Sequence, residues 1–288
     1  MKKVAFIVNP KAGVKKKIDI PQLIRSNFSK DIESEILIWD NKNNFESIQQ
    51  KVLNENFTIA VAVGGDGTVN EVAKTVNHSN VALGIIPFGS GNGLARSLGI
   101  PLNSIEAIQR IETGSIRTID SGLINDKPFF CTSGIGFDAL IGGLFATSTK
   151  RGFWTYTKIT FRELFGYKPQ QYSLSFNNTT INRSAFLITF ANAGQYGNDF
   201  YIAPAAKMND GLLHVVVLRP FPLLAAAPMA LKIFQGKAET SQYIETFTTT
   251  EIKLLRPKAG AVHYDGEPDT MPEEILIKVV PQSLRVLC

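Results

Sequence analysis

A chain of 288 residues is long enough for one large domain or two of ordinary size. Its 44% hydrophobic content excludes a disordered chain, and a formal charge of +5 is too small to argue for a nucleic-acid partner. The mild positive bias does favour phosphates, nucleotides or an anionic membrane surface.

From the start, MKKVAFIVNP lacks the long apolar core and small-residue cleavage site of a signal peptide and reads as a first β-strand. Residues 19–30 carry a helical pattern, SEILIWD reads as a strand and FESIQQKVLNE as a helix. TIAVAV, TVNEVAKTVN and ALGIIPFG continue the alternation, followed by short helices at NGLARSLG and SIEAIQRIE. Strands that alternate with helices imply βαβ units and a parallel sheet, and continuous apolar strands imply a sheet covered on both faces.

Near residue 117 the pattern changes. Residues 117–124, 128–135, 171–177, 180–192, 212–219, 243–255, 260–265 and 274–281 read as strands, with turn signals at IND and FNNTT. Helical stretches interrupt at 138–166 and 221–236. The expected architecture is α/β plus β: a Rossmann-like three-layer α/β domain over residues 1–119 and a β-sandwich over 120–288, with the last few residues free to return to the first domain. The longest apolar run, residues 221–234, contains a proline and a lysine and is too short to span a bilayer, so a soluble protein is expected. Cys131 and Cys288 lie in no Cys-x-x-Cys or Cys/His cluster; a disulfide framework and a zinc site are excluded, and a reducing compartment fits.

Two glycine clusters carry the chemistry. VAVGGDGTVNEV follows a strand and opens a helix. Gly64, Gly65 and Gly67 clear the backbone amides for a ligand, and Thr68 or Asn70 is placed to cap the helix. A strand, a glycine turn and a helix at the carboxyl edge of a parallel sheet bind anions. Asp66 would repel a phosphate unless it holds Mg²⁺ or receives a hydrogen bond that orders the loop. PFGSGNGLAR repeats the arrangement with Ser90 and Asn92, and NPKAG (residues 9–13) follows the first strand. The GK[ST] ending of a Walker A loop is absent.

NPKAG, GGDGTVNEV, PFGSGNGLARSLGIP, IDSGLIN, GIGFDA, APAAKMNDGLL and YDGEP together resemble the diacylglycerol-kinase-type lipid kinases, which include bacterial diacylglycerol kinases and sphingosine kinases. They occur in family order from residue 9 to residue 267, whereas GGDGT alone also occurs in NAD kinases. The resemblance implies MgATP in a cleft between the two domains. It implies an ATP site formed by Asn9, Pro10, Lys11, Ala12, Gly13, Gly64, Gly65, Asp66, Gly67, Thr68, Asn70, Ser90 and Asn92, with Glu71 supporting the loop from the helix. It makes Glu267 of Asp265–Gly266–Glu267 the general base toward the lipid hydroxyl and Asp66 its catalytic companion; the dipeptide alone reads as a hairpin turn with a solvated glutamate, and beside the phosphate loops as the base motif. It implies a Mg²⁺ site at Asp210 with the carbonyls of Lys207 and Leu212, against an Asp-Gly turn. Asp138 matches a head-group contact, and by position it also reads as a helix N-cap.

The sequence departs from the bacterial pattern at Gly93, where many members carry an aspartate; GSGNG is closer to sphingosine kinases. The acceptor therefore stays open among diacylglycerol, a sphingoid base and another lipid alcohol. ATP and Mg²⁺ are the implied cofactors, and a cytoplasmic location with transient membrane contact is implied. A homodimer through an exposed sheet edge is compatible. Rival readings are a kinase of a soluble alcohol, as in NAD kinases, and a non-catalytic nucleotide- or lipid-binding protein. KRGFWTYTKITFRELFGYKP (150–169) mixes cations with aromatics, as a membrane interface does. At helical spacing its Phe153, Tyr156, Phe161, Leu164 and Phe165 read as a core stripe. VKKK (14–17) reads as a solvated basic loop.

Overall fold

The computed structural model describes residues 2–10, 18–40, 42–148 and 153–288, with only the backbone of residues 42, 43, 153 and 156. By internal contacts the chain divides into two compact units, Met1–Ile119 with Gln282–Cys288, and Asp120–Pro281.

The first unit alternates as β1 (Lys3–Val8), α1 (Ile20–Asn27), β2 (Glu33–Ile38), α2 (Lys42–Asn54), β3 (Ile59–Gly64), α3 (Asp66–Val76), β4 (Ala82–Pro87), α4 (Gly93–Ser97) and α5 (Ser104–Thr113). The strands pair in parallel in the order β2-β1-β3-β4. β3 and β4 are buried throughout, because helices cover both of their faces. Local chemistry starts the helices: Asp19 accepts from the Gln22 amide at 3.0 Å, and Asn103 from those of Ile105 and Glu106 at 2.9 and 3.3 Å. The strand order reverses between β1 and β3, so their carboxyl ends form the crevice where such sheets bind ligands.

The second unit holds β5 (Ile116–Ile124), β6 (Lys127–Phe129), β7 (Thr132–Gly136), α6 (Phe137–Ala146), α7 (Phe153–Leu164), β8 (Gln170–Phe176), β9 (Thr179–Ala185), β10 (Leu187–Ala191), β11 (Leu213–Leu218), α8 (Ala226–Phe234), β12 (Ile244–Thr249), β13 (Glu251–Leu255), β14 (Gly260–Tyr264), β15 (Glu267–Met271) and β16 (Glu274–Leu287). β5 begins, and β16 ends, within the first unit. One antiparallel sheet runs β16-β13-β8-β9 and also takes β5 and β6; the other runs β12-β11-β10-β7-β14-β15. Phe129, Ile135, Leu174, Phe190, Val215, Ile252, Val262 and Ile277 fill the core shared by the two sheets. On the far face of the second sheet, residues of α6, α7 and α8 pack with Phe186, Leu187 and Val216. The α/β-plus-β architecture read from the sequence is the one observed.

Three stretches expected as single strands are each divided. Residues 128–135 become β6 and β7, 180–192 become β9 and β10, and 243–255 become β12 and β13. At each division the chain leaves one sheet for the other. The helix expected over 138–166 is also two helices, α6 and α7. β15 was not expected: EPDTM has one apolar residue besides its proline, yet it pairs with β14 across five positions. The core reading of this stretch fails at Phe161 and at Phe165, just past the end of α7, which are 62% and 71% exposed; among the described side chains of the helix Ile159 is the buried one. Leu164 packs against the helical core, and the side chains of Phe153 and Tyr156 lie outside the described residues.

Candidate active site

The two glycine loops of the first unit are tied together by one carboxylate. Asp66 opens α3 and accepts from the amides of Asn92 and Gly93 at 3.0 and 2.7 Å. Both amides stand at the start of α4, so Asp66 reaches across from its own helix to satisfy the first N–H groups of the next one. Of the two roles open to Asp66, the loop-ordering hydrogen bond is present. Asn92, in the left-handed region at φ 51°, bridges Gly89 with its side chain, accepting from the amide at 3.0 Å and donating to the carbonyl at 2.9 Å. Gly89 has no alternative residue: a Cβ there would stand 2.8 Å from the Gly65 Cα and 2.8 Å from Asn92 Oδ1. Arg96 Nε donates to the Gly91 carbonyl at 3.1 Å, and Ser90 lies exposed at the tip.

Thr68 and Asn70 do not cap α3. Gly65 occupies that position with no side-chain bond, so among the described residues the first-turn amides and the positive helix end are left for an anion. Asn70 is buried, and Thr68 Oγ1 instead accepts from Asn9 Nδ2 at 3.1 Å, tying the end of β1 to α3. The reason is register: the helix starts at Asp66, which puts Thr68 in its first turn. Glu71 forms an ion pair with Lys74 at 2.8 Å one turn along α3. Pro10 is exposed; Lys11, Ala12, Gly13 and residues 14–17 lie outside the described residues.

In the second unit, Asp265 and Gly266 have φ of 49° and 80°, a two-residue hairpin between β14 and β15. The Asp265 carboxylate accepts from the amides of Phe130, Cys131 and Thr132 at 2.7, 2.8 and 3.0 Å. Burial pushes its pKa up to about 6, although the three amides pull the other way. Glu267 is the first residue of β15, opposite Tyr264.

Asp138 is not an N-cap. Gly136 holds that position, and Asp138 stands within the first turn of α6. Its Oδ1 accepts from the Ala139 amide at 2.8 Å. Its Oδ2 lies 3.1 Å from His263 Nε2, and accepts from the Tyr196 hydroxyl at 3.0 Å and the Thr189 hydroxyl at 3.5 Å. Thr189 and Tyr196 also bond each other. Thr189, Gly134 and His263 form one row across β10, β7 and β14. The missing Cβ of Gly134 makes room: one built there would stand 2.4 Å from Asp138 Oδ2 and 2.7 Å from His263 Nε2. Tyr264 packs against the inter-sheet core, and strand alternation puts its partner Glu267 on that face and His263 on the other. Asp138 and Glu267 therefore meet opposite faces of one sheet. His263, Tyr196 and Thr189 were missed from sequence, since they lie 125, 58 and 51 residues from Asp138.

Asp210 Oδ1 accepts from the Leu212 amide at 3.1 Å, and its Oδ2 lies 3.7 Å from His214 Nε2. Asp120 accepts from the neighbouring Gly211 amide at 2.8 Å. The Asp-Gly turn reading thus holds, and the Asp210 carboxylate beside backbone carbonyls is a donor set of the hard, oxygen-rich kind that suits Mg²⁺.

A model of the diacylglycerol kinase catalytic domain matches residues 3–124, and one of the YegS C-terminal NAD kinase beta sandwich-like domain matches residues 132–288. The chain belongs to the YegS-like lipid kinases of the diacylglycerol-kinase type. A Chromohalobacter salexigens protein named "Probable lipid kinase YegS-like" is 30% identical over 72% of this chain and 69% of its own length. A Mycobacterium tuberculosis diacylglycerol kinase is 29% identical over 80% of this chain and 77% of its own. The crystal structure of a diacylglycerol kinase from Bacillus anthracis superposes with a TM-score of 0.74 over 99% of this chain and 96% of that one; at 20% identity this likeness establishes the fold alone. As a member of that family the chain is a kinase, and the glycine loops held by Asp66 lie within the matched catalytic domain.

Proposed function

We propose that the protein is a lipid kinase that transfers the γ-phosphoryl group of ATP to the hydroxyl of a lipid alcohol in the presence of Mg²⁺. The observation that carries this reading is the Asp66 bridge. One carboxylate holds two glycine loops in register and leaves the α3 N-terminus uncapped by any described side chain, as a triphosphate cradle requires. Gly93, the departure from the bacterial pattern, takes part through its amide rather than a side chain.

In this reading Gly65, Gly67 and Thr68 present main-chain amides to the phosphates, Ser90 adds a hydroxyl from the facing loop, and Asn9–Gly13 complete the cradle. Glu267 accepts the proton of the lipid hydroxyl as transfer proceeds. Mg²⁺, when bound, neutralises charge on the transferring phosphoryl group. Asp66 would hold that ion through its spare lone pairs, and Asp210 with the Lys207 and Leu212 carbonyls would hold a structural one.

The acceptor lives in a bilayer, and no helix among the described residues is long and apolar enough to cross one. Trp154 and Phe161 of α7 and Phe165 just past its end are exposed, with Lys158 and Arg162 on the helix, a composition that suits transient contact with an anionic membrane surface.

Labelled ATP supplied with a total lipid extract, and separately with NAD, tests the reading. Label should enter lipid. Asp66→Ala should lose at least about a hundredfold in turnover, since two amide bonds to a charged acceptor disappear. Glu267→Gln should still bind ATP and lose turnover. Label entering NAD alone would end the lipid reading; wild type that binds ATP and turns over no lipid would make the chain a binding module.

A further inference from the structure

We infer that Trp39 is the platform on which the base of the bound ATP stacks. This deepens the ATP reading above and rests on it. Trp39 stands just past the carboxyl end of β2, and its amide donates to the Val8 carbonyl at 2.8 Å. That bond extends the β1–β2 ladder to the rim of the sheet and fixes the residue there. The indole stacks on Phe45 of α2, ring centres 4.1 Å apart and planes 23° from parallel. Phe45 is buried, whereas Trp39 is only half-buried. One indole face is thus backed by a fixed ring, and part of the side chain still meets solvent. A rigid, backed, half-exposed indole is the kind of surface on which a nucleobase stacks, at a gain of about ten- to a hundredfold in affinity.

The direction of the nucleotide follows from what fills the rim among the described residues. With its phosphates at Gly65–Thr68, the nucleoside must run along the sheet edge toward β4 or toward β2. The β4 side is closed. Gly65 and Gly89 meet backbone to backbone there, and Asn92 and Gly93 are bound to Asp66. On the other side the end of β1 contributes Asn9, whose amide nitrogen is already turned to Thr68. Past it comes Trp39, two strand spacings from β3, about 10 Å. That span matches the separation of a purine from the distal phosphates. The β1/β3 switch point leads to the same place, because ligands of doubly wound sheets cross the rim at the reversal of strand order.

The alternative is that Trp39 only packs the start of α2 onto β2. The two roles separate on readouts that a packing residue would not move. The chain has two tryptophans, so in a Trp154→Phe background Trp39 is the sole indole. Titration with MgATP should quench or shift its emission saturably. Trp39→Ala should raise the KM for ATP about tenfold or more and leave kcat at saturating ATP within about twofold. Trp39→Phe should recover most of the KM. Equilibrium dialysis with labelled ATP runs alongside on the Trp154→Phe protein. Bound ATP with silent Trp39 emission, or an unchanged KM in Trp39→Ala, overturns the platform and leaves the kinase reading standing. No bound ATP at all overturns both.

Discussion

At the scale of single residues, Asp265 shows how a motif named for its chemistry can be held by structure. Its carboxylate knits the β14–β15 turn to the Phe130, Cys131 and Thr132 amides. Burial outweighs those amides and lifts its pKa from 3.8 to about 6. A carboxyl group whose pKa is raised on folding stabilises the fold while protonated. The contribution is therefore complete below pH 3.8 and lost as pH rises through about 6, and the gap corresponds to about 3 kcal/mol. Other acids run the opposite way. Arg183 bonds Glu245 through two nitrogens at 2.8 Å and holds it below its ordinary value, so that pair loses stability on acidification. Comparison with Asp265→Asn cancels such common effects. The melting temperature of wild type should rise relative to Asp265→Asn as the pH falls from about 7 to about 4. Parallel profiles for the two proteins would show that Asp265 is not buried in the way described.

At the scale of elements, the seat of α6 on the second sheet depends on one absent side chain. The row Thr189–Gly134–His263 has a gap at Gly134, and Asp138 enters it. Gly134→Ala would put a methyl group against a carboxylate oxygen and an imidazole nitrogen, forcing α6 outward or breaking a buried polar cluster. Overpacking of this kind costs about 1–3 kcal/mol. A thermal melt should register the loss, and adding Asp138→Ala should recover part of it, because the closest clash partner is then gone. Equal losses in the single and double variants would place the strain elsewhere.

The same gap marks where sequence reading stops. The βαβ alternation and both glycine loops are visible because each depends on neighbours a few residues apart. The hairpins at Asn125 and at Asn177–Asn178 are visible for the same reason, with positive φ at each asparagine. The three sheet-switching corners are not, since a strand that changes sheets keeps its β composition. The partners of Asp138 are not either, because nothing near residue 138 specifies His263. His263 lies only two residues before Asp265, but a single histidine beside a motif carries no signal of what it faces.

At the scale of the whole molecule, β16 joins both units. Its first half pairs with β13, and at Val286 it pairs in parallel with Leu83 of β4. Gln282, at φ 49°, marks the point where the chain passes from one unit to the other. Beyond it Leu284, Val286 and Leu287 are all but fully buried, and Ser115 and Cys288 exchange two backbone bonds of 3.0 Å, an antiparallel pair. Each of those three side chains is worth about 1.5–3 kcal/mol on burial, a sum close to the whole stability of a typical domain. Residues 1–119 alone should therefore fail to fold. The antiparallel pairing at Ser115 and Cys288 brings the end of the first-unit stretch alongside the returning strand, so a short Gly-rich turn can join residue 119 directly to residue 282. The joined chain should melt cooperatively by circular dichroism, and residues 1–119 should show no transition. A cooperative melt of residues 1–119 by themselves would mean that the returning strand decorates the first unit instead of completing it.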